Sequence, residues 1–276
     1  MAESEPGAMP DHGGFIWYEL AVPDPALVHG FYQQVAGWMI DPAGEDHDGM
    51  DYRMIRRADG GLAGGVLTLT EQMAGSGMRP MWTGYIHHPD VDAAARTIVD
   101  AGGQCFMGPL DMAGVGRMAM LADPQGATLY LLAPIPPADD PDTKSDVFGY
   151  MVPGRITWNE LMTTDPVAAI SLYGALFGWT QDGAMPMGEL GDYQFIQHGD
   201  TPIGAVMPLM PTMERACWNF YIAVTDIDRA AEVVLAQGGS LMGEIQEVPG
   251  GSFALNALDP AGAAIGLVGP RKEQAA

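Results

Sequence analysis

Trp17-Tyr18-Glu19-Leu20, followed by Asp24-Pro25, returns later in the chain as Trp158-Asn159-Glu160-Leu161, followed by Asp165-Pro166. Phe31-Tyr32 and Gly37-Trp38 return as Leu172-Tyr173 and Gly178-Trp179, at the same offset of 141 residues that carries Glu19 to Glu160. Further on the offset is 136, carrying Gly102-Gly103 to Gly238-Gly239 and Asp123-Pro124 to Asp259-Pro260. A repeat of this length is two copies of a whole domain, not a solenoid of short units. The 276 residues suffice for two such copies, each with its own core.

Within each copy the grammar runs strand, helix, three strands, and then restarts. Phe15 to Val22 carry β-formers and read as a strand. Asp24 is expected to cap a helix with Pro25 in its first turn, where a missing N–H costs nothing. Leu27, Phe31 and Val35 share helical spacing and are expected to form its core face; Ala168, Leu172 and Leu176 do so in the second copy. Gly37 and Gly178 read as left-handed helix caps. Strands follow near 38–40, 51–56 and 62–69. The second module has a strand over 81–87 and a helix capped by Asp90 with inner face Val91, Ala94, Ala95 and Ile98. Strands near 104–108, 116–121 and 127–133 complete it. The second copy has a strand over 218–224, a helix with inner face Ile227, Ala230, Ala231 and Val234, and three more strands. Residues 13–134 and 154–270 are the expected domains. The proline-rich, acidic stretch 135–153 is the linker.

Composition narrows the function. A formal charge of −23 repels phosphate backbones and argues against a nucleic-acid partner. The polar, acidic stretch from Met1 to Gly14 does not read as a secretory signal, and no apolar run approaches the ~20 residues of a membrane helix. Cys105 and Cys217 do not match across the repeat and read as free, buried thiols in a reducing compartment. The expectation is a cytoplasmic monomer or homodimer whose partner is a small molecule. Gly60 to Gly65 does not fit a phosphate loop, and no Ser has a nucleophile-elbow setting.

The paired strand–helix–three-strand unit, the Asp-Pro before the helix, Gly-Trp after it and the closing Asp-Pro-x-Gly resemble the glyoxalase/bleomycin-resistance/extradiol-dioxygenase group, the vicinal oxygen chelate superfamily. The resemblance covers nearly all of both copies. It implies an α+β fold: two tandem glyoxalase-like domains, each of two βαβββ modules forming an incomplete barrel around a cavity. It also implies a divalent metal held by His and Glu or Gln, acting as a Lewis acid on the substrate. The first-ligand position falls on Trp17 and Trp158, its second-module equivalent on Thr83 and Asn219, and the final position on Tyr130 and Gly266. These residues bind metals poorly. The expectation is therefore no metal ligand and no cofactor. Histidine offers little: His12 lies in the tail, His29 on a helix, His47 in an acidic loop, and His198 ends a strand. His87 with Glu19 is a conceivable site, though a strand-end histidine at the barrel rim is the preferred reading.

Glu19 and Glu160 follow the first-ligand tryptophans by two residues and so share their face. Two readings stand. One is a general base or polar anchor inside an apolar pocket. The other is a structural carboxylate held by an Arg, a Tyr or a backbone N–H, with Arg53 the candidate for Glu19; Arg53 is replaced by Gln194 in the second copy. Trp17, Trp158, Tyr52, Tyr193, Tyr85, Tyr221, Trp218 and Tyr130 lie on predicted barrel strands, as a cavity lining with Asn219 able to orient a ligand or as plain core. Trp38 and Trp179 read as packing residues. Two functions follow. One is a metal-free binding protein of the bleomycin-resistance kind, holding a small, partly apolar molecule. The alternative is an enzyme: a metal-dependent lyase, isomerase or dioxygenase with unusual ligands, or an acid–base enzyme using Glu19 or Glu160.

Overall fold

The structure is a computed structural model and describes residues 12–43, 50–140 and 143–272. Four modules follow one another, as the repeat requires. The first has β1 (Phe15–Val22), α1 (Ala26–Ala36), β2 (Met39–Ile40), β3 (Tyr52–Arg56) and β4 (Leu62–Thr68), and is followed by the short α2 (Glu71–Gly75). The second has β5 (Met81–His87), α3 (Val91–Asp100), β6 (Gln104–Met112), β7 (Gly116–Ala122) and β8 (Thr128–Pro134). The third has β9 (Ile156–Thr163), α4 (Pro166–Phe177), β10 (Thr180–Pro186), β11 (Asp192–His198) and β12 (Thr201–Pro208). The fourth has β13 (Cys217–Ala223), α5 (Ile227–Ala236), β14 (Ser240–Leu241), β15 (Gln246–Val248), β16 (Ser252–Leu258) and β17 (Ala264–Gly269), one strand more than expected. The fold is α+β.

Every module uses the same ladder. Its first strand pairs in parallel with its last, as β1 with β4, β5 with β8, β9 with β12 and β13 with β17. The remaining strands add antiparallel. A parallel pair needs a crossover, which the helix and the intervening strands supply.

The helices explain two departures from the sequence reading. Asp90 caps as expected, and Asp165 and Asp226 do the same at the matching helices of the second copy; the three accept from the N–H groups of Ala93, Ala168 and Arg229. Asp24 does not: its carboxylate accepts from Ala26 N–H in a tighter turn, and Pro25 holds the cap position. The buried face of α1 is Val28, Phe31, Tyr32 and Val35, while Leu27 is 50% exposed. In α4 it is Ala169, Tyr173, Leu176 and Phe177; Ala168 is exposed and Leu172 half-buried. Phe31, Val35 and Leu176 are buried as expected, while Leu27, Ala168 and Leu172 give way to neighbours that include a tyrosine hydropathy alone does not rank as core. Gly37 and Gly178 are left-handed caps, at φ 72° and 69°. The α3 and α5 faces are as expected.

By compactness the chain divides into two units, each combining segments of both repeats. One contains Trp17–Trp82, Asp146–Thr157 and Asn219–Ala276; the other contains Met1–Ile16, Thr83–Ser145 and Trp158–Trp218. In the first, the Tyr32 hydroxyl of α1 donates to Asp259 Oδ2 at 2.9 Å and accepts from Trp82 Nε1 at 2.8 Å. In the second, the Tyr173 hydroxyl of α4 donates to Asp123 Oδ2 at 2.9 Å. The other oxygen of each Asp closes its own turn, accepting from the N–H groups of Ala261 and Ala263 or of Gln125 and Ala127. The closing Asp-Pro-x-Gly motif is thus a turn that also receives a tyrosine from a helix of the other repeat. Burial raises both carboxyls above the ordinary carboxylate range, against the donors that favour ionisation.

Part of the linker is firmly held within the first unit. Asp146 pairs with Arg57 and Arg155, Val147 is buried, and Trp38 Nε1 donates to Gly154 O.

Candidate functional site

The first-ligand tryptophans stand apart from the other indoles. Trp38, Trp82, Trp179 and Trp218 are buried, whereas Trp17 and Trp158 are half-buried. Trp17 and Trp158 are thus the two indoles that the strands do not enclose fully. Trp38 and Trp179 are packing residues, as expected, and Trp179 Nε1 donates to Gly13 O.

In the second unit, Trp158 Nε1 donates to the Tyr193 hydroxyl at 2.7 Å, and that hydroxyl donates to Glu160 Oε2 at 2.7 Å. Indole, phenol and carboxylate form one directed chain. Strand register assembles it. Glu160 lies opposite Ala205, and Ala205 opposite Phe195, so Glu160, Ala205 and Phe195 form a row across β9, β12 and β11. Alternation puts Trp158 and Tyr193 on the same face. Phe195 stands at 71° to Trp158 and 72° to Tyr193, with centroids 6.1 and 5.7 Å away. Phe195 escaped the sequence reading, although its place two residues after Tyr193 was the available signal. Glu160 is only 6% exposed. Its charge adds to burial in raising the nearby Cys217 thiol to about 11, which keeps that thiol protonated. Both cysteines are free but half-buried, less enclosed than expected.

In the first unit, Trp17 Nε1 donates to the Tyr52 hydroxyl, also at 2.7 Å. Glu19 lies opposite Gly65, and Gly65 opposite Met54, which is the counterpart of Phe195. The expected Glu19–Arg53 pair is corrected by register. Arg53 lies opposite Val66 and therefore points to the other face, where it forms a bidentate pair with the two carboxylate oxygens of Asp51. Glu160 has the tyrosine donor that the structural reading asked for.

The other expected residues lie in two further groups. Tyr85 and Tyr130 are stacked at 4.1 Å, in register across β5 and β8, with Thr83 buried on the same strand. Asn219 Nδ2 donates to Asn256 Oδ1 at 2.8 Å. The Tyr221 ring covers Gly266, where an added Cβ would lie 2.2 Å from it. Tryptophan, tyrosine, threonine, asparagine and glycine thus occupy the positions where the resembled fold holds its metal. The indole N–H groups of Trp17 and Trp158 are already spent on tyrosines, and Gly266 offers no side chain. These residues do not fit a divalent metal. Among the described residues no group of three or more His, Cys, Asp or Glu could hold one. His47 lies outside the described residues, and His87 is a half-buried strand-end residue.

A fold of paired βαβββ modules defines the glyoxalase-like class. The chain belongs to the glyoxalase/bleomycin-resistance/extradiol-dioxygenase superfamily, the vicinal oxygen chelate proteins. It is 31% identical over 262 residues to "Putative glyoxylase CFP32" of Mycobacterium tuberculosis, covering 94% of this chain and 95% of that protein. It is 31% identical over 267 residues to the anthracycline biosynthesis protein DnrV of Streptomyces peucetius, covering 93% of each. Among solved structures it resembles the Mn(II)-bound glyoxalase from Novosphingobium aromaticivorans, with TM-score 0.60 and 16% identity over 95% of this chain and 83% of that one. It also resembles homoprotocatechuate 2,3-dioxygenase from Brevibacterium fuscum, with TM-score 0.61 and 18% identity over 96% and 82%. These two likenesses concern the fold alone. No family model matches the chain. No helix among the described residues is long and apolar enough to cross a membrane.

Proposed function

We propose that this protein binds a small, partly apolar, planar molecule at the tryptophan–tyrosine faces of its two repeats, without the metal usual in its superfamily. The observation that carries the reading is the twice-built pair of Trp17 with Tyr52 and Trp158 with Tyr193, all half-buried, with each tryptophan at a position where the resembled fold holds a metal ligand. A hydrogen bond fixes each indole edge, so its face is presented to a ligand at little entropic cost. Glu19 and Glu160 are buried carboxylates on the same two faces. The naming of two relatives for anthracycline biosynthesis supports a polycyclic aromatic ligand.

Titration with 1,4-dihydroxyanthraquinone, followed by tryptophan fluorescence, tests this. Saturable quenching that weakens in Trp17→Phe and Trp158→Phe is expected. Quenching unchanged in both variants, or absent in the wild type, would remove the proposal.

A further inference from the structure

The two faces differ at one position, and that position changes the kind of ligand each can take. In the second unit the row Phe195–Ala205–Glu160 places an aromatic ring across from a buried carboxylate. Trp158 and Tyr193 complete an aromatic corner, with Phe195 standing at 71° and 72° to them. In the first unit the same row reads Met54–Gly65–Glu19, so a thioether chain stands where the second unit has the Phe195 ring. Aromatic faces carry negative quadrupole density and attract cations, most strongly where water is excluded. A carboxylate behind such a corner adds a full charge. We infer that the face of Trp158, Tyr193, Phe195 and Glu160 selects an organic cation, a protonated or quaternary amine with an apolar body, while the face of Trp17, Tyr52 and Glu19 takes the neutral part of a ligand or a neutral ligand.

This rests on the binding reading above and names the ligand chemistry of one of its two faces. The neutral isostere of the cation isolates the charge, because shape and apolar area are matched. Phe195→Met isolates the corner, because it copies the other repeat and leaves net charge unchanged. That control matters in a chain of formal charge −23, which attracts any cation weakly.

The experiment compares phenyltrimethylammonium with tert-butylbenzene by calorimetry on the full chain, alongside the 1,4-dihydroxyanthraquinone titration. The cation is expected to bind at least ~10-fold more tightly than its isostere. Phe195→Met and Glu160→Gln should each remove most of that preference, and Phe195→Met should leave dihydroxyanthraquinone binding in place. Met54→Phe should add a second cation site. If dihydroxyanthraquinone binds but the cation shows no preference, or the preference survives Phe195→Met, the cation inference is wrong and the binding reading stands. If neither compound class binds, the binding reading falls and this inference with it.

Discussion

Tyr32→Phe removes one oxygen and two hydrogen bonds. The lost hydroxyl donates to Asp259 Oδ2 and accepts from Trp82 Nε1, all in buried surroundings. A hydrogen bond to a charged group is worth about 1.5–3 kcal/mol, and an orphaned buried N–H costs about 1–3 kcal/mol more. Groups in one network do not add fully, so the expected loss is about 3–5 kcal/mol at pH 7. The loss should depend on pH. The tyrosine bond lowers the Asp259 pKa, while burial raises it. Without the hydroxyl, Asp259 shifts further upward and takes up a proton at a higher pH. Once protonated it is neutral and costs less to bury, so the difference between variant and wild type should shrink as pH falls toward the acid range. Urea unfolding followed by circular dichroism at pH 7 and near pH 4.5 measures both effects. A double-mutant cycle with Asp259→Asn should show coupling on the order of 1–2 kcal/mol. A Tyr32→Phe variant within about 0.5 kcal/mol of wild type at pH 7 would refute the idea that this pair joins segments of the two repeats.

Trp158→Ala should weaken dihydroxyanthraquinone binding by more than tenfold while moving Tm by only a few degrees; outright unfolding would show Trp158 to be core. His198 donates from Nε2 to His12 O, leaves Nδ1 buried without a partner, and has its pKa lowered chiefly by burial. Burial likewise lowers His88, whose Nδ1 accepts from Asp90 N–H. Stability should therefore be full above the ordinary histidine value of about 6.5 and fall as pH drops through it, with His198→Asn flattening the Tm profile between pH 7 and 5; an identical profile in the variant would contradict this. Dialysis against a chelator should leave Tm unchanged, and a drop of several degrees would contradict the metal-free proposal.

The repeat itself was legible because it is written in residues that local physics demands. Asp before a helix, Gly after it and Asp-Pro-x-Gly at a turn each satisfy backbone groups within a few positions, so sequence spacing suffices to place them. The candidate face was half legible. Period-two alternation put Trp17 with Glu19 and Trp158 with Glu160 without any coordinates. Their partners across strands depend on register, and register depends on the whole ladder. Phe195 therefore came into view only with Ala205 between it and Glu160, and Arg53 was removed from Glu19 by a one-residue step that turns a side chain to the other face. The core stripe of α1 moved from Leu27 to Val28 for a similar reason, since Tyr32 is buried by a hydrogen bond to Asp259, 227 residues away. The sequence by itself determined that there are two copies of one fold and which residues its strands present. Only the tertiary structure decided that each compact unit combines parts of both copies, because a buried hydroxyl must find its acceptor wherever the chain brings one.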